Sequence, residues 1–534
     1  NFTPSINEPR DGLFRLANGS KSHRKHHYLT LEHIVKYQKA LGQFHNIDVT
    51  LLQSFEMTNE SGSALSSNNI FNDALSYNGL GIGENPTVSS SALKSTANSY
   101  MGRIGYKFRN RYVFNATVRR DGYSAFGSGR KFGVFPSMGL GWLISEEKFM
   151  KVVPVISYLK LRYTYGKNGN RGISPYSSQS NLTQSGNQYV FGDGGVTSIG
   201  ITPTSMANND LGWETTVASN LGLDFSILNE KISGTIEYYS KNTTDLLLQL
   251  RIPNMTGYET YFTNIGGTNN KGLEISLNTQ NVSKGKFNWT TNLVYSFNRN
   301  KITKLSGVDL NNDGVEDDDI ASSRFIGKPL GTNFDYVWDG IWQAGEDNKL
   351  DPTSKPGYVK FKDVDGDGKL TPLDRQVLHS NQPDFLAGLT NRFSYGGLSL
   401  SVFFNAVIGG YSPNSLLNHG SNFFDRTNLM DLPYWTPENP LTDRPSIGYP
   451  NALGYRFYQS RSFIRFQDIS LSYDLPKNVL SKAKIGSVKV YVSGKNLKTW
   501  TKWDGWDPEH GSGGRLPANG PLLSSWVMGL NIGL

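Results

Sequence analysis

The sequence predicts an all-β fold, a transmembrane antiparallel β-barrel, and three observations carry that reading. Apolar and polar residues alternate over runs of about ten, many times along the chain, which is the period of a strand whose two faces meet different surroundings. Aromatic residues gather at strand ends on the apolar face while Arg and Lys stand in mid-strand on the other, as in a barrel with lipid outside and water inside. Short connections alternate with very long ones, as when one rim carries tight turns and the other carries loops. Composition agrees: of 534 residues 57 are Gly and 12% are aromatic, while 18% are charged, against about 25% in an average soluble domain.

Taken in order, the strands predicted at 28–41 and 44–55 flank a turn near Gly42. In 100–108, Tyr100, Ile104, Tyr106 and Phe108 oppose Met101, Arg103 and Lys107, and a short turn leads to 111–121, where Tyr112, Phe114 and Val118 oppose Val113, Asn115 and Arg119. Strands at 136–144 and 156–166 follow, then 215–226 and 231–241 across a turn at 229–231. After 272–279, the run 287–298 sets Phe287, Trp289, Leu293, Tyr295 and Phe297 against Asn288, Thr290, Asn292, Ser296 and Asn298. The pair 385–395 and 398–408 shares a turn at 395–397, and 462–473, 488–496 and 526–534 close the chain, whose last residue is Leu534. The whole of 1–534 reads as one barrel portion, with extracellular loops at 56–99, 167–214, 242–271, 299–384, 409–461 and 497–525. Counting direction from both ends requires that 299–384 hold either zero or two barrel strands, with 334–342 a strand of the loop or half of a hairpin. Fifteen strands is an odd number, and single-chain bacterial barrels close with an even one. The first residues also lack a basic start followed by an apolar stretch. Both lead us to expect further strands outside this sequence.

Other classes are harder to sustain. There is no cysteine, so disulfides, thiolate metal sites and cysteine nucleophiles are excluded. No stretch reaches the ~18 apolar residues of a membrane helix; the best, 398–410, is broken by Ser399, Ser401 and Asn405. This excludes helical spans and says nothing against a barrel. No nucleophile elbow or zinc-binding helix motif is present, and Gly79, Gly81 and Gly83 lack the strand–helix frame of a phosphate loop. The formal charge of +8 is spread along strand interiors rather than gathered in a patch, which argues for a wet lumen or lipopolysaccharide phosphates and against nucleic acid. His23, His26 and His27 read as solvated surface.

Several motifs, in this order, resemble the C-terminal barrel portion of SusC/RagA-type TonB-dependent outer-membrane transporters of Bacteroidetes. They are Arg119-Arg120-Asp121-Gly122-Tyr123-Ser124 with Phe126-Gly127 and Phe135-Pro136-Ser137, then the run 159–166 (LKLRYTYG), then Asn264-Ile265-Gly266-Gly267 with the run 270–274 (NKGLE). They continue with the runs 339–343 (DGIWQ), 361–369 (FKDVDGDGK), 471–476 (LSYDLP) and 504–509 (DGWDPE). The resemblance implies a 22-stranded barrel of which about seven strands, the plug domain and the TonB-contacting segment lie outside this chain. It implies TonB-dependent import of oligomeric nutrients, glycans or peptides, in the bacterial outer membrane under a SusD-like surface lipoprotein that acts as a lid, and it allows a dimer of such transporter–lipoprotein pairs. Members usually end in an aromatic residue that helps barrel insertion, and Leu534 departs from that pattern. The alternatives are a passive 16-stranded porin and a soluble β-rich glycan-binding or hydrolytic protein.

One segment carries coordination chemistry. Asp363, Asp365, Asp367, Lys369, Thr371 and Asp374 have the spacing of an EF-hand-type calcium loop, with Gly368 at the sharp turn, Lys369 offering its carbonyl and Asp374 replacing the usual closing Glu. A Ca²⁺ ion is the cofactor this spacing calls for; a solvated acidic turn is the alternative. A second run, Asp309-x-Asn311-x-Asp313-Gly314, begins correctly but has Ile320 at the closing position. In the outer loops, Trp435, Trp500, Trp503 and Trp506 are candidates for stacking on cargo or contacting a lid.

Overall fold

The computed structural model describes residues 1–7, 14–190, 197–414, 417, 432–481, 485–509 and 522–533. Among these no helix is long and apolar enough to cross a membrane. The main sheet has sixteen strands. Fifteen are those predicted, and the sixteenth is the two-residue strand Phe2–Thr3, paired along Ala17–Leu41. Their order in the sheet follows their order in the chain, and the pairs are antiparallel, the meander expected of a barrel family.

One predicted loop is corrected. Residues 56–99 are mostly strand: His45–Ile70 and Glu84–Phe108 pair from His45–Phe108 up to Asn68–Glu84, leaving a connection with two short 3₁₀ turns, Asp73–Asn78 and Leu80–Ile82. The first strand likewise starts at Ala17 rather than at 28. Serine-rich stretches such as 61–66 are exposed or half-buried and carry few apolar side chains, so they show no two-faced alternation, yet their backbone groups continue the ladder. Within 299–384 the two counting schemes agree on zero barrel strands, because Phe287–Lys304 pairs directly with Pro383–Tyr395. Parts of the predicted loops 409–461 and 497–525, and Leu534, lie outside the described residues.

The chain forms two compact units. In the first (Asn1–Leu140, Tyr165–Val217, Thr243–Ile265), the excursions 167–214 and 242–271 supply a four-stranded sheet of Asn181–Val190, Thr197–Met206, Thr260–Asn264 and Leu247–Arg251. Motif residues explain themselves here. Phe126 packs on Tyr123 and Trp213 at 5.6 and 5.0 Å between ring centroids, and Phe135 reaches the same Trp213 at 5.2 Å. Gly127 is needed because a Cβ would stand 2.0 Å from the Asn209 carbonyl oxygen, where the backbone draws in to let Gly127 N–H donate to Leu211.

In the second unit (Gly141–Thr164, Ala218–Asn242, Gly266–Leu534), charges on the polar face of the strands neutralise one another. Arg162 Nε and Nη2 donate to the two Asp224 carboxylate oxygens at 2.8 Å each, and Nη2 also donates to Glu237 at 2.7 Å. A bidentate arginine fixes neighbouring strands in one register as a point charge could not.

Candidate functional site

The excursions 299–384 and 409–461 build a small lobe of their own within the second unit. Thr332–Tyr336 pairs with Arg375–Ser380, Trp338–Ile341 with Val359–Phe361, and Tyr411–Pro413 with Tyr458–Ser460. Their inward side chains form a core, with Tyr336, Ile341 and Phe361 from the first excursion against Tyr449, Tyr455 and Phe457 from the second. Phe361 and Tyr455 meet edge-on at 5.1 Å. Asp335 is buried in this lobe and accepts hydrogen bonds from the Tyr458 hydroxyl at 3.2 Å and the Arg456 N–H at 3.3 Å. Burial first, and then the nearby Asp335 charge, push the Tyr455 and Tyr458 hydroxyls well above the ordinary tyrosine range, so both stay protonated.

The acidic loop joins two of these strands, leaving Val359–Phe361 and entering Arg375–Ser380. Asp363, Asp365 and Asp374 each bring a carboxylate oxygen within 4.8 Å of the others, and this is the one such set among the described residues. Local folding explains the convergence. Asp363 accepts from Gly366 and Gly368 N–H at 2.7 and 2.9 Å, which wraps the chain around it, and both glycines have the positive φ the wrap requires. Asp365 accepts from Asp367 N–H at 3.2 Å, and Asp367 from Lys369 N–H at 2.8 Å. Thr371 caps the 3₁₀ turn Pro372–Asp374, and Asp374 closes the box by accepting from Thr371 N–H at 2.7 Å, while its other oxygen accepts from Val364 N–H at 2.7 Å. Asp374 is therefore fully buried, 0% exposed, and held across the loop from Asp363.

The electrostatics divide the set. At Asp374 burial opposes the charge, but backbone donors from Thr371, Val364 and Asp365 outweigh it and hold the carboxyl below its usual range. At Asp365 the Asp367 N–H favours the charge, but desolvation and the carboxylates of Asp367, Asp374 and Asp363 together push it up. A group of carboxylates that raises one member's pKa has the donor chemistry of a hard divalent cation site. Asp367 lies outside the converging set, and Thr371 serves as a cap.

The second acidic run has the same internal bonding. Asp309 accepts from Gly314 N–H at 3.0 Å, Asn311 from Asp313 N–H at 2.9 Å and Asp313 from Val315 N–H at 2.7 Å. No carboxylate returns at its twelfth position, where Ile320 is exposed. The wrap is thus common to both loops, and the closing Asp374 distinguishes the first.

The four tryptophans separate. Trp435 packs against the lobe core and donates from Nε1 to Gln343 at 3.0 Å. Trp503 is 6% exposed. Trp500 pairs in register with Ile464 and Ala406 on the apolar face of the sheet, the place of an interfacial aromatic. Trp506 is 57% exposed. Its loop is clamped from below by a residue that sequence reasoning missed: Arg465, 1% exposed, donates to Asp507 at 2.6 Å, to Glu509, and to Thr499 at 2.9 Å, with its guanidinium 4.6 Å from the Phe463 ring centroid. Asp504 of the same motif accepts from Arg444 and Gln459 at 2.7 and 2.6 Å. The run 504–509 supplies half of this signal; its partners lie some forty to sixty residues away in the chain and no spacing rule links them.

A meandering antiparallel sheet with one apolar and one polar face, carrying large folded excursions, defines the chain as a receptor barrel. Residues 12–391 match the family described as TonB dependent receptor-like, beta-barrel, and the chain belongs to it. It is similar to TonB-dependent receptor P3 of Formosa agariphila, 33% identical over 491 residues, which cover 90% of this chain and 48% of that protein. It is also similar to TonB-dependent receptor SusC of Bacteroides thetaiotaomicron, 31% identical over 449 residues, covering 83% and 44% respectively. The chain thus spans about half the length of the curated relatives it matches. Among solved structures, the RagAB peptide transporter superposes with a TM-score of 0.80 at 23% identity, covering 97% of this chain and 56% of that one, a likeness of fold. Membership in a family of receptor barrels sets aside the soluble β-rich alternative.

Proposed function

We propose that the chain provides the barrel of an outer-membrane importer that takes up an oligomeric nutrient, a glycan or a peptide, with energy from TonB and a SusD-like surface lipoprotein as partner. The observation that carries this reading is the two-faced antiparallel sheet of the receptor-barrel family, bearing a folded lobe whose tyrosines are kept neutral and whose Trp506 is exposed. Its relatives are receptors rather than enzymes, and the residues here bind and pass a solute rather than transform it. A strain deleted for the gene should lose growth on one class of oligomer while keeping growth on its monomers. Unimpaired growth on oligosaccharides and oligopeptides alike would overturn the reading.

The loop 363–374 is proposed as a calcium site. Asp363, Asp365 and Asp374 would hold the ion with the Lys369 carbonyl, and Asp367 would join through its free carboxylate edge. The ion would supply charge neutralisation at the junction between two strands of the lobe, a structural role. The donor set fits a hard cation: three oxygens gathered by backbone hydrogen bonds, one fully buried. Calcium that protects the wild-type lobe from proteolysis, and fails to protect an Asp374→Ala variant, is the expected result; equal protection of both would refute it.

A further inference from the structure

Residues of both excursions line a cavity of about 550 Å³ within the lobe, which is room for a small-molecule ligand. Its apolar wall is aromatic. Trp338 lies 5.8 Å from Tyr455 and 6.0 Å from Phe457 between ring centroids, and Tyr455 lies 5.9 Å from Tyr458, whose hydroxyl is tied down on Asp335. Rings that brace one another in this way give the cavity a firm, flat-sided wall.

The polar groups at this wall are set apart by what they lack. Arg444 Nη2 donates to Asp504 at 2.7 Å, yet its Nη1 is buried and has no hydrogen-bond partner among the described residues. A buried donor of that kind is uncommon in folded proteins and costs free energy until something accepts from it. On the same cavity the Trp338 indole N–H and the Tyr455 hydroxyl have no partner among the described residues, and neither does the Asp443 carboxylate. His379 also faces the cavity, stacked on Tyr411 at 4.0 Å, and burial lowers its pKa so that the ring is neutral. With Tyr455 and Tyr458 protonated, the ionised groups lining the cavity are Arg444, whose charge Asp504 balances, and Asp443, which has no cationic partner among the described residues.

We propose that this cavity binds one neutral pyranose unit of the cargo, and that Asp443 makes it select against uronates and other anionic sugars. The inference rests on the importer reading above and narrows its cargo to a neutral glycan. Three donors without partners require a ligand with acceptors spread around its edge. The uncompensated carboxylate requires a donor and repels an anion, and the aromatic wall requires a flat apolar face. A pyranose meets all of these, because each hydroxyl both donates and accepts while the C–H faces of the ring stack on aromatic side chains. Among peptide groups, an amide side chain has the acceptor but no face to cover the wall, and an aromatic side chain has the face but at most one oxygen. Arg444 Nη1, Trp338 Nε1 and the Tyr455 hydroxyl would donate to sugar oxygens, and Asp443 would accept from a sugar hydroxyl.

The test titrates the intact protein, in non-ionic detergent, with neutral hexasaccharides of glucose, mannose, galactose and xylose, and with hexagalacturonate and an uncharged hexapeptide as counter-probes, by calorimetry. At least one neutral hexasaccharide should bind, and hexagalacturonate should bind at least about tenfold more weakly, because like charges brought together at a site are penalised. Asp443→Asn should narrow that gap. Tyr455→Phe should lose about fivefold in affinity for the hexasaccharide yet melt as wild type does, since its hydroxyl has no partner within the described protein to lose. Wild type that binds no neutral hexasaccharide, a Tyr455→Phe variant that binds one as tightly as wild type, or a hexapeptide whose binding Tyr455→Phe weakens overturns the sugar site; a gap unchanged in Asp443→Asn overturns the charge selection. Growth of the deleted strain separates these failures from failure of the importer reading: a strain that still loses growth on an oligomer leaves the importer standing, and one that loses none overturns both.

Discussion

Arg465 offers the most exacting test of how the outer loop is held. Its guanidinium and the Asp507 carboxylate are 1% and 3% exposed and 2.6 Å apart, so neither charge has water to fall back on. Removing one partner of such a pair costs about 3–5 kcal/mol because the other is left buried and unpaired. In Asp507→Ala the guanidinium keeps Glu509, which is 43% exposed, together with Thr499 and the Phe463 ring, so the lower figure, about 3 kcal/mol, applies. If that loss is local, opening of the segment around 502–509 becomes more frequent by a factor of roughly one hundred, because ~1.4 kcal/mol corresponds to tenfold. Amide hydrogen exchange of that segment and of the Thr501 end of its strand measures the factor directly. The double variant Arg465→Met/Asp507→Leu should recover most of the protection, since apolar residues of similar volume replace a buried ion pair at little cost. Wild-type exchange rates in Asp507→Ala, or a double variant no better protected than the single one, would refute the argument that the buried pair anchors the loop.

The remaining predictions concern the lobe. With a dissociation constant near ~10⁻⁴ M, 1 mM calcium should stabilise the wild-type lobe by about 1.4 kcal/mol, read as slower proteolysis, and should do nothing for Asp374→Ala. Asp374 has a lowered pKa in the folded loop, so the stability it contributes is present above the unfolded value and lost as pH falls through the folded one. Asp365 has a raised pKa and holds its proton to higher pH, so on acidification calcium affinity, followed by titration calorimetry, should begin to fall while the pH is still above the usual aspartate range. Gly357→Ala should destabilise the lobe by about 3 kcal/mol, because φ is +90° there and a Cβ would lie 2.5 Å from the Trp435 ring; an unchanged melting curve of the excised or intact lobe signal would count against that packing. Trp506→Ala should weaken cargo or lid binding without altering the fold, whereas Trp503→Ala should act on stability, and equal binding by wild type and Trp506→Ala would remove Trp506 from the site.

Strand identity was legible because a strand with lipid on one side and water on the other must alternate, and that constraint is written residue by residue in runs such as 287–298. All fifteen predicted strands appear in the sheet. The same logic explains the failure at 56–99. Once both faces of a strand are wet, side-chain pattern stops reporting on backbone pairing, and only the neighbouring strand reveals that His45–Ile70 and Glu84–Phe108 continue together. The acidic loop was readable for a related reason: its ligands come from twelve consecutive residues, so spacing alone fixes geometry. Even there, spacing could not show that Asp367 stays outside the converging set of Asp363, Asp365 and Asp374, or that Thr371 acts as a cap for the turn that carries Asp374.

By itself, then, the sequence determined the local grammar of this protein: which segments are strands, which face of each is apolar, where the chain turns sharply and where carboxylates can converge. These properties depend on residues within about ten positions of one another. Tertiary structure decided the rest. It set Arg465 against Asp507 and Glu509, separated the two packed tryptophans from the exposed Trp506, and joined two excursions into one aromatic lobe. Each of those arrangements depends on strand register and on which distant segments share a buried space, and neither is encoded in the spacing of residues along the chain.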